Sequence, residues 1–217
     1  MRPRCLAVVC CLLLTSCLCA QQVALRNTGF ETVAKGVPAD WTCPSYWSGE
    51  LTSVTDPALG GRDLLVSAQT GSGKTVGFGL AIAPTLLAEA GTFGPAATPL
   101  ALVIAPTREL ALQVRRELQW LYAQAGATIS SCVGGMDMRD EVRALDRGAH
   151  VVVGTPGRIC DHLRRGTLDP STMRAVVLDE ADEMLDLGFR EDLETILRAA
   201  PEDRRTLMFS ATVPKAI

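Results

Sequence analysis

The residues with the clearest chemical meaning form a glycine-rich loop that ends in lysine and threonine. It lies between a predicted strand and a predicted helix, and it reads Ala68-Gln69-Thr70-Gly71-Ser72-Gly73-Lys74-Thr75. Glycine lets the backbone turn tightly and aim its N–H groups at phosphate oxygens, and the helix N-terminus adds a positive dipole. Lys74 can reach the β- and γ-phosphates, and the Thr75 hydroxyl can bind Mg²⁺. The loop therefore predicts a magnesium–nucleotide site, although the strict pattern has glycine where Ala68 stands.

Lysine usage favours this interpretation over a glycine-rich turn that binds nothing. The chain has three lysines, Lys35, Lys74 and Lys215, among 21 basic residues. Arginine fills every other basic position, so the lysine in the loop indicates a need for a compact point charge.

A second acidic site is expected wherever a phosphate loop binds a metal–nucleotide. An apolar predicted strand leads directly to Asp179 and Glu180, and ligands of open α/β sheets bind at the C-terminal ends of strands. We expect Asp179 to hold the Mg²⁺ shell through water, and Glu180 to position or deprotonate the attacking water. With Lys74 they form the predicted catalytic set. An acidic helix start on a solvated turn is the alternative for Asp182 and Glu183.

The elements that must position these residues alternate between strands and helices from Gly61 onward. Strands are predicted near 63–68, 100–105, 128–133, 150–154, 175–179 and 205–210, and helices near 74–90, 108–125, 136–146, 158–164 and 190–199. Several strands are apolar on both faces, as in a parallel sheet covered by helices. The alternation predicts an α/β domain with a mostly parallel, doubly wound sheet and helices on both faces. Core packing at helical spacing is predicted for Met184 to Phe189, Leu193, Ile196 and Leu197.

Three further motifs follow predicted strands and so fall on the same edge of the sheet. They are Pro106-Thr107-Arg108-Glu109, the pair Gly134-Gly135, and Thr155-Pro156-Gly157-Arg158. Threonine hydroxyls, helix N-termini and glycine N–H groups suit contacts with a sugar-phosphate backbone that do not read the bases. Taken singly, each threonine motif is also an ordinary helix start, and the arginines could lie on solvated helix faces.

The order of these motifs resembles that of the DEAD-box ATP-dependent RNA helicases. Asp179-Glu180-Ala181-Asp182 spells the family signature, and the phosphate loop, the three motifs above and Ser210-Ala211-Thr212 follow the family's order. The resemblance covers residues 61–217. It implies the first, ATP-binding RecA-like P-loop domain, with ATP and Mg²⁺ as cofactors and single-stranded or duplex RNA as partner. It also implies that the three motifs bind RNA, and that Asp182, Ser210 and Thr212 couple nucleotide state to RNA binding.

The chain departs from the family pattern at two places. The family has a glutamine upstream of the phosphate loop that reads adenine, whereas no glutamine lies between Gln22 and Gln69 here. The chain also ends at Ile217, where the family continues into a second RecA-like domain that carries arginine fingers. The resemblance therefore predicts weak nucleotide binding and negligible hydrolysis by this polypeptide alone.

The first 60 residues differ in character from the rest. Residues 1–20 resemble an export signal, with Arg2 and Arg4 before an apolar run and a possible cleavage site after Ala20, or a lipoprotein segment with a lipid on Cys17. Residues 21–60 are rich in glycine, proline and threonine and are predicted to be irregular. A misjoined N-terminus is the alternative interpretation of both segments.

Composition and charge limit the partners and the compartment. A net charge of −3 means that a nucleic acid would be bound by local arginines and backbone N–H groups, not by a basic surface. Only Cys132 and Cys160 follow Cys43, and no C-x-x-C pair occurs, which argues against zinc and favours a reducing compartment. We expect a cytoplasmic helicase domain that does not enter a membrane, in conflict with the signal-like N-terminus.

Two other functions are compatible with parts of the sequence. A different superfamily 2 nucleic-acid helicase would share the phosphate loop, but the Pro106 to Leu110 and Ser210 to Thr212 motifs disfavour it. An exported or lipid-anchored binding module with an inert phosphate loop would account for the N-terminus. Recovery of the chain from membranes with a lipid on Cys17 would support the binding module.

Overall fold

The computed structural model describes residues 33–34, 37–38, 63–67, 73–87 and 91–211. The predictions for residues 1–20 and for most of 21–60 lie outside these ranges, as do those for Ala68 to Ser72 and for Thr212. Within the segment predicted to be irregular, Val33–Ala34 (β1) and Val37–Pro38 (β2) form a short antiparallel pair.

Six further strands form one parallel sheet, which confirms the predicted fold class. They are β3 (Leu64–Ser67), β4 (Ala101–Ile104), β5 (Ile129–Cys132), β6 (Val151–Gly154), β7 (Ala175–Leu178) and β8 (Arg205–Ser210). Their order across the sheet is β3-β8-β7-β4-β6-β5, and every pairing is parallel. Each connection between successive strands carries at least one helix, as parallel pairing requires.

The described helices are α1 (Lys74–Leu86), α2 (Arg108–Leu121), α3 (Met138–Asp146), α4 (Pro156–Arg164), α5 (Ala181–Asp186) and α6 (Arg190–Ala199). Helix α2 ends earlier than predicted because the chain tightens into a 3₁₀ turn at Ala123–Ala125, which Gly126 closes in the left-handed conformation. Helix α3 begins at Met138 because the Asp137 side chain accepts a hydrogen bond from the Arg139 N–H. Helix α1 also ends before its predicted boundary, and α4 begins before it. None of the helices among the described residues is long and apolar enough to cross a lipid bilayer.

Helix α5 is an element that the sequence did not predict. Met184 on this helix is fully buried, as predicted, whereas Leu187, which was also predicted for the core, is 54% exposed. The helix ends before Leu187, and Gly188 then adopts a left-handed φ of 85°. Leu187 therefore lies beyond the end of the helix, and its side chain remains exposed instead of joining the core.

Apolar side chains cover both faces of the sheet. Because successive residues of a strand point to opposite faces, Val103 and Val153 pack against α1 and α2, whereas Leu102 and Val152 pack against α4, α5 and α6. The helices supply Phe78, Ile82, Val114 and Leu118 on the first face, and Ile159, Met184, Leu193 and Ile196 on the second. Burial on both faces accounts for strands that are apolar throughout.

The C-terminal ends of the six parallel strands share one edge of the sheet. Five of the predicted motifs begin just beyond that edge, after β4, β5, β6, β7 and at the end of β8, and β3 leads to the glycine-rich loop. In open α/β sheets this edge is where ligands bind. The fold therefore brings together residues that lie more than a hundred positions apart in sequence, such as Lys74 and Glu180.

Candidate functional site

Helix α1 begins at the lysine of the glycine-rich loop. Gly73 precedes it with φ 80° and ψ 21°, a left-handed conformation that glycine adopts without the penalty of a Cβ. Lys74 and Thr75 form the first turn, and both side chains are buried. The helix N-terminus and its partial positive charge thus lie at the sheet edge next to these two side chains.

The ammonium of Lys74 lies between two carboxylates. Its Nζ atom is 3.2 Å from Glu180 Oε1 and 3.4 Å from Asp179 Oδ1. Glu180 is the residue to which Lys74 donates a hydrogen bond. Lys74 therefore links the other two predicted catalytic side chains in the folded chain.

Asp179 carries a buried carboxylate that fits a metal ion. Its side chain is 2% exposed, and this burial raises its pKa, an effect that Lys74 opposes and the Glu180 charge reinforces. Asp179 Oδ1 has no partner of good hydrogen-bond geometry among the described residues, although the Lys74 ammonium lies 3.4 Å away. A buried oxygen in this state suits a hard dication such as Mg²⁺, which prefers oxygen ligands. The Thr75 hydroxyl belongs to the adjacent first turn of α1, so both predicted Mg²⁺ ligands lie at this edge.

Glu180 occupies a conformation that is unusual for its residue type. Among the described residues other than glycine, only Glu180 has a positive φ, at 55°, which costs about 1–2 kcal/mol for an L-residue. The left-handed turn ends β7 and starts α5 while the side chain reaches Lys74. A hydrogen bond from Glu183 to Glu180 raises the pKa of Glu183, and burial and the charges of Glu180 and Asp182 add to the rise. Glu183 therefore binds a proton more readily than an isolated glutamate.

The first predicted RNA-binding motif is a capped helix start whose arginine crosses to the next loop. The Thr107 hydroxyl accepts a hydrogen bond from the Leu110 N–H, so this threonine is a helix cap as well as an edge residue. Arg108 Nη1 donates to the Gly134 carbonyl over 3.0 Å. Pro106 is buried and Glu109 is exposed. Arg108 is therefore not simply a solvated residue of a helix face, because its guanidinium binds the double-glycine loop.

The double-glycine loop needs glycine at its second position. Gly135 has a φ of 76°, and a Cβ there would lie 2.6 Å from Arg108 Nη1. A Cβ on Gly134 would meet nothing within 4 Å. The loop is thus packed beneath an arginine on one side and open on the other, and Gly134 and Gly135 are both exposed.

The Thr155 motif begins α4, and its arginine also binds the double-glycine loop. Thr155 precedes the helix and Pro156 is its first residue, a position that suits proline. Arg158 Nη2 donates to the Met136 carbonyl over 2.9 Å. Gly157 lies between Pro156 and Arg158 in the first turn of α4. Arginines from two different helices therefore hold carbonyls on either side of Gly135.

The predicted coupling residues are described only in part. Strand β8, which ends at the buried Ser210, pairs with β7, which leads to Asp179. Asp182 lies in the first turn of α5. The adjacency of these two strands matches the family resemblance, while Thr212 lies outside the described residues.

Two buried polar residues, Glu141 and His162, were not predicted from the sequence. Glu141 Oε2 lies 2.8 Å from His162 Nε2, and both side chains are almost fully buried. A signal for Glu141 was present, since it lies at helical spacing from the partly buried Met138 and Leu145 and so falls on the inward face of α3. A carboxylate on the inward face of an amphipathic helix requires a buried partner.

A parallel sheet with a lysine-bearing helix start and paired carboxylates at one edge defines a RecA-like P-loop domain. The model of the DEAD/DEAH box helicase family matches residues 52–217, and the chain belongs to this family. The match covers the described sheet and all the motifs of its C-terminal edge.

Individual proteins of known name are similar to this chain. It is 52% identical over 197 residues to the ATP-dependent RNA helicase DeaD of Haemophilus influenzae, covering 89% of this chain and 28% of that protein. It is 48% identical over 163 residues to the DEAD-box ATP-dependent RNA helicase 9 of Oryza sativa subsp. japonica, covering 75% of this chain and 25% of that protein. The chain thus spans about a quarter of the length of these relatives.

A solved structure has the same fold. The crystal structure of a DEAD box protein from the hyperthermophile Methanococcus jannaschii superposes with a TM-score of 0.64 at 40% sequence identity. The superposition covers 71% of this chain and 40% of that one. The two proteins therefore share the RecA-like fold.

Proposed function

We propose that this domain binds Mg·ATP between Lys74 and the carboxylates of Asp179 and Glu180, and that it binds RNA along the neighbouring part of the same edge. The observation that carries the proposal is the contact of Lys74 Nζ with both carboxylates, at 3.4 and 3.2 Å. The relatives named above are ATP-dependent RNA helicases, and the proposal extends that activity to this chain.

The nucleotide half of the site would work through charge and position. The glycine-rich loop from Ala68 to Thr75 would surround the phosphates with N–H groups, and Lys74 would exchange its carboxylate contacts for the β- and γ-phosphates. Thr75 and Asp179, the latter through water, would hold Mg²⁺. A bound Mg²⁺ neutralises charge that develops on the phosphate oxygens.

Glu180 is the residue proposed to act on the attacking water. Its side chain lies beside Lys74, and its left-handed backbone aims it at the same edge. Release of Lys74 to the phosphates would leave Glu180 as an acceptor for a proton of that water. Glu183, one turn further along, shares a hydrogen bond with Glu180 and would limit its rotation.

The RNA half of the site would bind the sugar-phosphate backbone rather than the bases. Thr107, Gly134, Gly135, Thr155 and Arg158 all follow the C-terminal ends of β4, β5 and β6. They offer hydroxyls, N–H groups and a guanidinium, which are donors for phosphate oxygens. Asp182, Ser210 and Thr212 are proposed to link this half to the nucleotide half.

The compartment proposed for this activity is the cytoplasm, where ATP and RNA are both present. Cys132 and Cys160 are unpaired thiols within the described part of the chain, which fits a reducing compartment.

Calorimetric titration of Mg·ATP into the full chain tests the nucleotide half. The Lys74→Ala variant should bind at least about tenfold more weakly, because it loses a charge-assisted contact worth 1.4 kcal/mol or more. Arg143→Ala is the matched control, since Arg143 is an exposed cation with one exposed partner. Equal affinity of Lys74→Ala and wild type, or wild-type binding that is unchanged when EDTA removes Mg²⁺, would overturn this part of the proposal.

Fluorescence anisotropy with labelled oligonucleotides tests the RNA half. Oligouridylate and oligoadenylate of equal length should bind with similar affinity, because the motifs present donors for phosphate and not for base edges. Preference for single-stranded DNA over RNA of the same sequence would favour a different nucleic-acid helicase.

A further inference from the structure

Glu141 is a buried carboxylate to which the proposed mechanism gives no role. It lies on α3, is 3% exposed and is the only residue of that helix to be fully buried. A buried carboxylate is costly unless hydrogen bonds and opposite charge compensate for lost water. The partners of Glu141 therefore indicate what this residue does in the fold.

Each oxygen of Glu141 has a different partner. Oε1 accepts a hydrogen bond of 2.8 Å from the Val133 N–H, the residue directly before Gly134. Oε2 lies 2.8 Å from His162 Nε2 and 3.5 Å from Arg158 Nε. One carboxylate thus joins the base of the double-glycine loop to the arginine of the Thr155 motif.

The hydrogen bonds close a ring around the double-glycine loop. Arg158 contacts Glu141 through Nε and donates through Nη2 to the Met136 carbonyl. Glu141 in turn accepts from Val133, so the loop from 133 to 136 is fixed at both ends by one ion pair. Arg108, from a different helix, holds the middle of the loop at Gly134. Glu141 is therefore a buried anchor of the loop, alongside the two arginine contacts.

The proton arrangement of this cluster is internally consistent. His162 Nε2–H can donate to Glu141, and His162 Nδ1 lies 2.8 Å from the Thr167 hydroxyl. The same hydroxyl lies 3.2 Å from the His162 carbonyl, to which it donates when Nδ1 carries the ring proton. With glutamine at position 141, the side-chain amide could donate a hydrogen bond to His162 Nε2. This requires the His162 tautomer that is protonated at Nδ1, whose Nδ1–H then donates to the Thr167 hydroxyl. Glutamine can therefore replace both hydrogen bonds of Glu141 but not its charge.

The cluster around Glu141 is better suited to its existing hydrogen bonds than to a metal ion. Cys132, Glu141 and His162 place potential ligand atoms within 4.8 Å of one another. Both Glu141 oxygens and His162 Nε2 already take part in hydrogen bonds, which a metal ion would have to displace. The Arg158 guanidinium beside Glu141 also repels a dication. The hydrogen bonds of this cluster therefore hold the double-glycine loop in place.

We propose that Glu141 is a positioning residue for RNA binding, which it supports by fixing the double-glycine loop and the Arg158 side chain. This inference rests on the proposed function of the edge as an RNA site. Glu141 is buried behind the loop and need not touch RNA itself. Loss of its hydrogen bonds should weaken RNA binding without weakening Mg·ATP binding, since Lys74 and Asp179 share no contact with Glu141.

A series of variants in the full chain tests the proposal through affinity. Glu141→Met keeps the side-chain length and loses every hydrogen bond, and its dissociation constant for oligouridylate should rise about tenfold. Glu141→Gln keeps both hydrogen bonds and should stay within about threefold of wild type. Asp146→Asn is the matched control, because Asp146 is an exposed acid on the same helix. The Mg·ATP affinity of all three should equal that of wild type.

Amide hydrogen exchange provides a second measurement that does not need RNA. Exchange at Val133, Gly135 and Met136 should speed up in Glu141→Met and remain near the wild-type rate in Glu141→Gln. If Glu141→Met does not fold, Glu141→Asp takes its place, since its shorter carboxylate keeps the charge but cannot reach both Val133 and His162.

The outcomes separate this inference from the proposed function. A wild-type chain that binds no RNA overturns the proposed function, and the exchange rates then decide whether Glu141 fixes the loop. Wild-type RNA binding together with equal binding by Glu141→Met, or unchanged exchange in that variant, overturns the inference alone. A parallel loss of RNA and Mg·ATP affinity would also overturn it, because it would indicate general unfolding.

Discussion

At the residue scale, Lys74 joins the two acidic side chains before any ligand binds. Its ammonium is 7% exposed and lies within 3.4 Å of Asp179 and 3.2 Å of Glu180. The desolvation of buried charges offsets most of their mutual attraction, so such a group adds little stability compared with apolar residues. We therefore infer that these three residues serve ligand binding, and that the fold tolerates them through their mutual pairing.

Replacing Lys74 by methionine should destabilise the domain in a pH-dependent manner. Lys74 lowers the pKa of Asp179 against the effect of burial, so the variant should raise that pKa further. A carboxyl whose folded pKa exceeds its unfolded value binds protons more tightly when folded, and stability then falls as pH rises through that range. We expect the free energy of unfolding to drop by about 2 kcal/mol near neutral pH, and by less in acid.

Urea unfolding at two pH values measures this effect. Arg143→Met is the control, because its exposed pair with Asp140 should contribute little at either pH. A Lys74→Met variant that loses the same stability in acid as at neutral pH would contradict the assigned pairing.

At the element scale, two helices fix one loop. Arg108 from α2 and Arg158 from α4 donate to the carbonyls of Gly134 and Met136 respectively. Gly135 lies between these carbonyls in the left-handed conformation. The loop is exposed to solvent, yet its backbone has partners from both neighbouring elements.

Alanine substitutions at the two glycines should therefore differ. Gly135→Ala adds a Cβ at a φ of 76° and 2.6 Å from Arg108 Nη1, and it should cost about 1–2 kcal/mol of unfolding free energy. Gly134→Ala meets nothing within 4 Å and should change stability by less than about 0.5 kcal/mol. Chemical denaturation compares the pair directly, and equal effects would contradict the left-handed conformation of Gly135.

Features with a local signal were predictable at this scale, and features with distant partners were not. The strands follow from apolar runs, and the start of α1 follows from Gly73 and Lys74. Helix α5 was missed because it is only six residues long and directly follows the strained Glu180. The role of Glu141 was missed because its partners, Val133 and His162, lie 8 and 21 residues away.

At the scale of the whole domain, one parallel sheet separates two apolar layers and presents the proposed site along one edge. The order β3-β8-β7-β4-β6-β5 places the strand before the glycine-rich loop two positions from the strand before Asp179, with β8 between them. Sequence periodicity predicted the parallel sheet but carried no information on this order, which depends on long-range pairing. The family resemblance supplied the adjacency of β7 and β8.

The two buried thiols should report unfolding of this domain as one unit. Cys132 on β5 and Cys160 on α4 belong to the same apolar layer, and burial raises the pKa of each thiol to about 12. Neither should react with iodoacetamide in the native state, because the thiolate is the nucleophile. Both should become reactive at the same urea concentration as the loss of helical circular dichroism.

Peptide mass spectrometry after pulsed alkylation can follow the two sites separately. Reaction of Cys160 at a lower urea concentration than Cys132 would show that α4 detaches before the sheet unfolds. That result would contradict unfolding of the domain as one cooperative unit.

Nucleotide and RNA are proposed to occupy adjoining parts of a single sheet edge. Amide chemical shifts of the isotope-labelled chain, recorded with Mg·ATP and with oligouridylate separately, test it most directly. Mg·ATP should shift Lys74, Thr75 and Asp179, and RNA should shift Gly134, Gly135 and the start of α4. RNA-induced shifts confined to the opposite end of the strands, around the groove of about 570 Å³ lined by Ser171, Arg174 and Asp203, would contradict the account.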